Sequence, residues 1–215
     1  MKIQLINKTP DFLRTIWTAA RTCYSAQTPL QLWNSEVSRE EMLRLASRII
    51  DSQHHSVVEH CSVTYAIEEI SRTLLAQYSR HRIGISLSVQ SQRYVTELSE
   101  KNDGLFDIVM PPKVTNNEEA TKEYLRICQE IQDSYDRLIS LGIPKEDARF
   151  VLPGGAGTNM VTTLNLRALF DLYRKRCITK GAQWEIKDMV QVMVDQLLEQ
   201  EPWLEQFFAK EGSNE

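Results

Sequence analysis

The chain has 215 residues, 42% of them hydrophobic, which suffices for a sizeable core in one domain or a tightly joined pair. A formal net charge of −4 and a pI near 5.7 exclude bulk attraction to nucleic acid or an anionic membrane, so an anionic ligand must meet a local basic cluster. No apolar run approaches the roughly 20 residues of a membrane span, and Met1 to Trp17 lacks a signal-peptide core, so a cytoplasmic protein with no membrane contact is expected.

Thr9-Pro10-Asp11 reads as an N-cap, a first-turn proline and an acidic start for an amphipathic helix that carries Phe12, Leu13, Ile16 and Ala20 to about Cys23. Ser38 with Glu41 three residues on is a capping-box pattern; the helix it opens turns Met42, Leu45, Ile49 and Ile50 to the core. A histidine-rich polar turn follows. Alternation from Cys61 to Ile67 predicts a strand, and Leu74, Leu75 and Tyr78 predict a helix from Ser71 to Arg82. Residues 83 to 95 have no helical period and read as a loop leading into a strand at Arg93 to Thr96. A long charged helix over Asn117 to Leu141 stops at Gly142, and Pro144 starts a short one through Arg149. After the break at Pro153-Gly154-Gly155-Ala156-Gly157, Thr158 to Leu164 predicts another strand and Asn165 caps a helix to about Cys177. A last helix covers Ala182 to Gln200, ahead of Pro202 and a polar tail over 211–215. Long helices around a few separated strands, with no βαβ alternation, indicate an α+β fold in a single domain, 1–215.

The densest positive charge is Arg80-His81-Arg82, with Arg93 close behind in a loop of serine and glutamine. This outlines an anion site, because guanidinium groups meet phosphate with paired hydrogen bonds; the plainer alternative is a solvated helix end. His54, His55 and His60 beside Glu59 raise the question of a metal, but the spacing is neither His-Glu-x-x-His nor that of a zinc finger, so no metal is assigned. By composition alone Arg149, Arg167, Arg174 and Arg176 are surface cations. Gly154 to Gly157 lacks the lysine and the strand-before-helix setting of a phosphate loop. Cys23, Cys61, Cys128 and Cys177 form no Cys-x-x-Cys pair and read as reduced, mostly buried packing thiols.

Arg80-His81-Arg82 and Ser91-Gln92-Arg93-Tyr94 resemble the signature of the flavin-dependent thymidylate synthases. Further matches run along most of the chain, at Ala20 to Ser25, His54 to His60, Ser71-Arg72 with Gln77, Ala148 to Pro153, Asn165-Leu166-Arg167 and Ala182 to Ile186. Eight residues, Ile83 to Gln90, separate the two halves of the signature, one more than is usual, so no role passes to Ser86, Leu87, Ser88 or Val89. A second extra residue falls between Arg176 and Ala182. The resemblance implies a small, mostly antiparallel sheet within the α+β fold, and a homotetramer whose FAD sites draw on several subunits. It also implies NADPH as reductant and methylenetetrahydrofolate as the one-carbon donor that turns dUMP into dTMP. Matched positions put Ser56, Arg80, His81, Arg82, Asn165, Arg167 and Asp171 near FAD, and Gln77, Arg80, Gln90, Ser91, Gln92, Arg93, Arg149 and Arg176 near dUMP. Arg176 resembles the catalytic arginine that polarises the uracil. Uracil C5 is a poor nucleophile, and no cysteine stands out to add at C6, so a guanidinium against N3 and O2 is the chemically sufficient alternative. The competing class is a non-enzymatic nucleotide- or RNA-binding module built on Arg80 to Tyr94. The acidic pI counts against it, and flavin colour separates the two.

Overall fold

The computed structural model of the chain describes residues 1–210, so the polar tail expected over 211–215 lies outside the described residues. Strand β1 (Lys2–Lys8) opens the chain and was not legible as a strand, because only Ile3 and Leu5 alternate clearly. Helix α1 (Phe12–Thr22) buries Phe12, Leu13, Ile16, Trp17 and Ala20, but its cap is Asp11, which accepts from the Arg14 amide, and not Thr9. The short α2 (Pro29–Trp33) was also unforeseen; Thr28 and Gln31 close its capping box. In α3 (Arg39–Asp51) Ser38 caps Glu41 as expected, yet the buried face is Met42, Ala46 and Ile50, with Leu45 and Ile49 only half-buried. The histidine-rich turn is a 3-10 helix, His55–His60, followed by β2 (Ser62–Ser71).

Helix α4 (Arg72–Tyr78), capped by Ser71, ends before Arg80, so the basic triplet sits in a turn and not on a helix end. The strand expected at Arg93 to Thr96 is a turn; β3 (Ile85–Val89) lies within the segment read as loop. After α5 (Pro112–Thr115) come the long α6 (Glu118–Ser140), stopped by Gly142 at φ 85°, and α7 (Lys145–Ala148). β4 (Gly157–Asn165) leads into α8 (Leu166–Tyr173), a π turn over Arg174–Ile178, α9 (Trp184–Gln200) and α10 (Glu205–Lys210). The helix expected to reach Cys177 is α-helical to Tyr173 and continues as the π turn through Ile178. The strands form one sheet in the order β1-β2-β4-β3. Its pairings descend in one strand as they rise in the next, Thr64 with Thr163 and Glu69 with Asn159, Ser86 with Thr162 and Gln90 with Asn159, which makes it antiparallel.

The chain forms two compact units, one of Met1–Lys2, Ile67–Arg80 and Ser88–Met160, the other of Ile3–Ala66, His81–Leu87 and Val161–Glu215. In the first, α6 covers a cluster of Phe106, Cys128 and Ala156, and Gln132, fully buried, bonds the Phe106 amide and the Glu97 carbonyl. In the second, α1, α3, α8 and α9 bury the larger apolar set. There the Tyr65 hydroxyl, fully buried, donates to the Met193 carbonyl at 2.6 Å. Tyr65→Phe should cost about 1–2 kcal/mol of unfolding free energy in a urea titration, since it removes one buried hydrogen bond without removing the ring. An unchanged midpoint would show that this bond carries no net stability.

The cysteines depart from expectation at Cys23, which is exposed. Burial pushes the Cys61 thiol up to about 12 and that of Cys177 up to about 11. A disulfide reagent at neutral pH should therefore modify Cys23 first. Cys23→Ser should abolish the fast phase, and a fast phase that persists would contradict this assignment. Among the described residues no helix is long and apolar enough to cross a membrane.

Candidate functional site

In the second unit, a cavity of about 440 Å³ lies at the junction of β4 and α8, lined by Gln53, His55, Glu59, Ile83, Asn165, Arg167, Ala168, Phe170, Asp171 and Arg174. Three of the residues expected near FAD, Asn165, Arg167 and Asp171, thus come together from a single strand-to-helix junction. Asn165 is half-buried because it has two structural duties: its Oδ1 caps α8 at the Ala168 amide, 2.8 Å, and its N–H donates to the Gly84 carbonyl, 2.9 Å. Arg167 is ion-paired to Glu59, and Asp171 accepts from both Arg174, 3.0 Å, and Lys175, 2.7 Å. Burial alone would raise the Asp171 carboxyl, but the hydrogen bonds and charges of Lys175 and Arg174 together hold it below the usual range. Ser56 is exposed on the 3-10 turn and Arg82 is exposed beyond α4; neither is among the lining residues.

His81 and Arg176 meet: Arg176 Nε donates to His81 Nε2 at 3.0 Å. The ring therefore accepts at Nε2 and carries its proton at Nδ1. Burial, then the charges of Arg176 and Lys175, push the His81 pKa below its ordinary value. Arg176 reaches this position from the π turn, closed by the Thr179 amide on the Arg174 carbonyl at 2.9 Å. A π turn takes up one residue more than an α turn and is frequent at functional sites.

In the first unit, Gln90, Ser91, Arg93 and Arg149, four of the residues expected near dUMP, are each held by local contacts. Gln90 is held by β4, its amide on the Asn159 carbonyl, 2.9 Å, and its Oε1 accepting from Asn159 Nδ2, 2.7 Å. Ser91 Oγ accepts from the Arg93 amide at 3.2 Å and so shapes the turn. Gln92 is buried. The Arg93 guanidinium pairs with the Glu146 carboxylate at 3.0 Å, while Arg149 Nε donates to the Glu146 backbone carbonyl at 3.1 Å, so one residue anchors both arginines. Arg93, Tyr94, Ile139, Ile143 and Pro144 line a shallow hollow beside this pair. Gln77 is half-buried on α4 and Arg80 exposed after it.

Sequence reasoning missed Gln53, Ile83, Phe170 and Glu146, and left Arg174 as a plain surface cation. Gln53 stands at φ 59°, a left-handed conformation unusual outside glycine, at the end of α3. The motif segments had already drawn attention to His55 and Glu59. His55 bonds the Ile50 carbonyl and its ring lies tilted against Phe170, with ring centroids 6.3 Å apart.

The family described as thymidylate synthase complementing protein matches residues 4–203. Flavin-dependent thymidylate synthases of Nitratidesulfovibrio vulgaris and Geobacter sulfurreducens are 37% and 39% identical to this chain over 90% of it, and the matches cover 80% and 81% of those proteins. Among solved structures, the UMP/dUMP methylase PolB from Streptomyces cacaoi, bound with 5-Br dUMP, shares the fold with a TM-score of 0.80 at 20% identity. That match covers 97% of this chain and 94% of the other. Thymidylate Synthase X from Helicobacter pylori, solved with FAD and dUMP, gives 0.70 at 24% identity over 91% and 93% of the two chains. The chain belongs to the flavin-dependent thymidylate synthase family.

Proposed function

We propose that this enzyme converts dUMP to dTMP with FAD, taking its one-carbon unit from methylenetetrahydrofolate and its reducing equivalents from NADPH. The observation that carries the reading is the cavity at the start of α8, where Asn165 and Arg167 from one motif, with Asp171 further along the helix, line one space with His55 and Glu59 from another. Its donor set fits a flavin nucleotide: guanidinium groups of Arg167 and Arg174 suit phosphate, the Asn165 amide suits ribityl hydroxyls or ring heteroatoms, and Phe170 and Ile83 give apolar surface. Arg167, Asn165 and Asp171 would hold the cofactor, with Ser56, Arg80, His81 and Arg82 assigned to it by family likeness. When bound, the flavin supplies hydride chemistry. Arg176 acts on the uracil, where its planar charge stabilises electron density developing on N3 and O2, so that C5 becomes nucleophilic without a cysteine. Gln77, Arg80, Gln90, Ser91, Gln92, Arg93 and Arg149 orient dUMP.

Purified protein given FAD, dUMP, methylenetetrahydrofolate and NADPH should form dTMP and bleach its flavin. The absence of both dTMP and bleaching would sink the proposal, and a colourless protein that binds RNA would favour the binding-module reading. Arg93→Ala should raise the dUMP dissociation constant roughly tenfold and leave FAD titration unchanged. A charge-assisted contact is worth about 1.5–3 kcal/mol, and this side chain's exposure puts it at the low end. Lost FAD affinity with dUMP unaffected would reverse the assignment. A cytoplasmic homotetramer is the inferred assembly. Supporting it, Tyr24, Ile83, Tyr94 and Phe150, all within or beside the motifs, are 78% to 91% exposed in the single chain, more apolar surface than isolated motif residues need. Light scattering from an active monomer would contradict it.

A further inference from the structure

We infer that His81 is a positioning residue for Arg176, presenting a neutral ring whose Nε2 fixes the plane of the guanidinium. The inference rests on the proposed role of Arg176 and adds a group that acts through it. Its basis is geometric. Arg176 Nε lies 3.0 Å from His81 Nε2, and the guanidinium leaves α8 through a π turn, so its direction is not set by a regular helix. A guanidinium held only by its flexible stem sweeps a cone. One bond at Nε locks the last torsion and leaves the nitrogens at the far end of the planar fork aimed together, which is the arrangement that two neighbouring acceptors such as N3 and O2 require.

The bond exists in one protonation state of His81. A protonated ring has no acceptor at Nε2 and would face Arg176 with like charge. The charged groups around the ring are Arg176 and Lys175 from the π turn and Asp171 from α8, with Arg80 and Arg82 beside it in sequence. Burial, Arg176 and Lys175 all favour the neutral ring and only Asp171 opposes them, so neutrality persists below histidine's ordinary value near 6.5. The rate of dTMP formation should accordingly have an acid limb below that value, set by His81.

The test compares His81→Phe, which keeps a flat ring without an acceptor, with His81→Gln, whose amide oxygen can accept from Nε and does not titrate. Both are assayed with flavin saturation verified by absorbance. His81→Phe should lower dTMP formation per bound flavin about 30-fold at pH 8, since the step that activates uracil needs an aimed guanidinium. His81→Gln should recover most of that loss and flatten the acid limb. The chain has only 4 histidines, so ring-nitrogen NMR on histidine-labelled enzyme gives a second readout that survives if a variant fails to fold. The His81 signal should show the Nδ1–H tautomer, and its pKa should rise in Arg176→Ala. A His81→Phe enzyme with the parent's rate and pH profile, or a neutral ring protonated at Nε2, overturns the inference. A parent protein that forms no dTMP at any pH overturns the functional reading beneath it instead.

Discussion

Arg176→Ala should lower dTMP formation about 100-fold or more at saturating FAD and dUMP, the scale on which enzymes lose rate when a donor aimed at developing charge is removed. Its position gives this expectation content that charge alone does not. Arg174, Lys175 and Arg176 are consecutive, but the structure divides their work: Arg174 and Lys175 turn to Asp171, and Arg176 turns to His81. Arg176→Lys keeps the charge yet has neither the planar fork nor an Nε–H for His81, so it should fail nearly as badly as alanine. Arg174→Ala should weaken FAD retention, because Arg174 lines the cavity, and stay within a few-fold in rate once FAD saturates. Flavin reduction by NADPH should survive in Arg176→Ala, as that half-reaction needs no activated uracil. Equal losses at saturating FAD in Arg174→Ala and Arg176→Ala, or a fully active Arg176→Lys, would show that Arg176 is only a cation.

Gly84→Ala should be the most damaging single-methyl change in the signature loop. Gly84 has φ +71°, and a Cβ there would lie 2.6 Å from Asn165 Nδ2. The left-handed conformation costs a residue with a side chain about 1 kcal/mol, and displacing Asn165 forfeits a helix cap worth about 1 kcal/mol more. For a chain of this length a loss of about 2 kcal/mol lowers the melting temperature by roughly 4–8 °C. Because the same Asn165 lines the cavity, flavin affinity should fall in parallel. Asn165→Ala separates the parts: it loses the cap and the amide but carries no clash, so it should be the more stable of the two. A Gly84→Ala protein with the parent's melting temperature and FAD titration would mean that the turn relaxes freely.

The parts of the fold that local chemistry determines were legible. Asn117 and Gly142 mark the ends of α6, Ser38 and Asn165 are helix caps, and alternation around Val63 and Tyr65 announces β2. Elements whose existence depends on partners elsewhere were not. β1 is an edge strand with weak alternation, held by pairing, and α2 has only five residues, whereas β3 does alternate, Ile85, Leu87 and Val89 against Ser86 and Ser88, and was hidden by the polar segment around it. Arg93 to Thr96 looked extended because tyrosine, valine and threonine favour strands, but Ser91 claims the amides there for a turn. The basic triplet was visible as charge. That its histidine would accept from Arg176, 95 residues away in sequence, is a tertiary fact that no spacing predicts. The extra residue after Arg176 did signal an irregularity, and the π turn begins just before it.

Three of the arginines near these sites carry a carboxylate of the same chain: Arg93 with Glu146, Arg167 with Glu59, and Arg174 with Asp171. Each guanidinium thus brings its own counter-ion, and an arriving phosphate exchanges with or joins that carboxylate and sheds few salt ions to the solvent. Capture should then show a shallow dependence on ionic strength, unlike a bare cationic groove, whose affinity collapses as salt rises. With a formal net charge of −4 the molecule mildly repels a nucleotide from afar, so moderate salt, by shortening the screening length, should speed encounter slightly. Selectivity for the anion rests on the short-range fit of the forks, and little of it on the field that surrounds them.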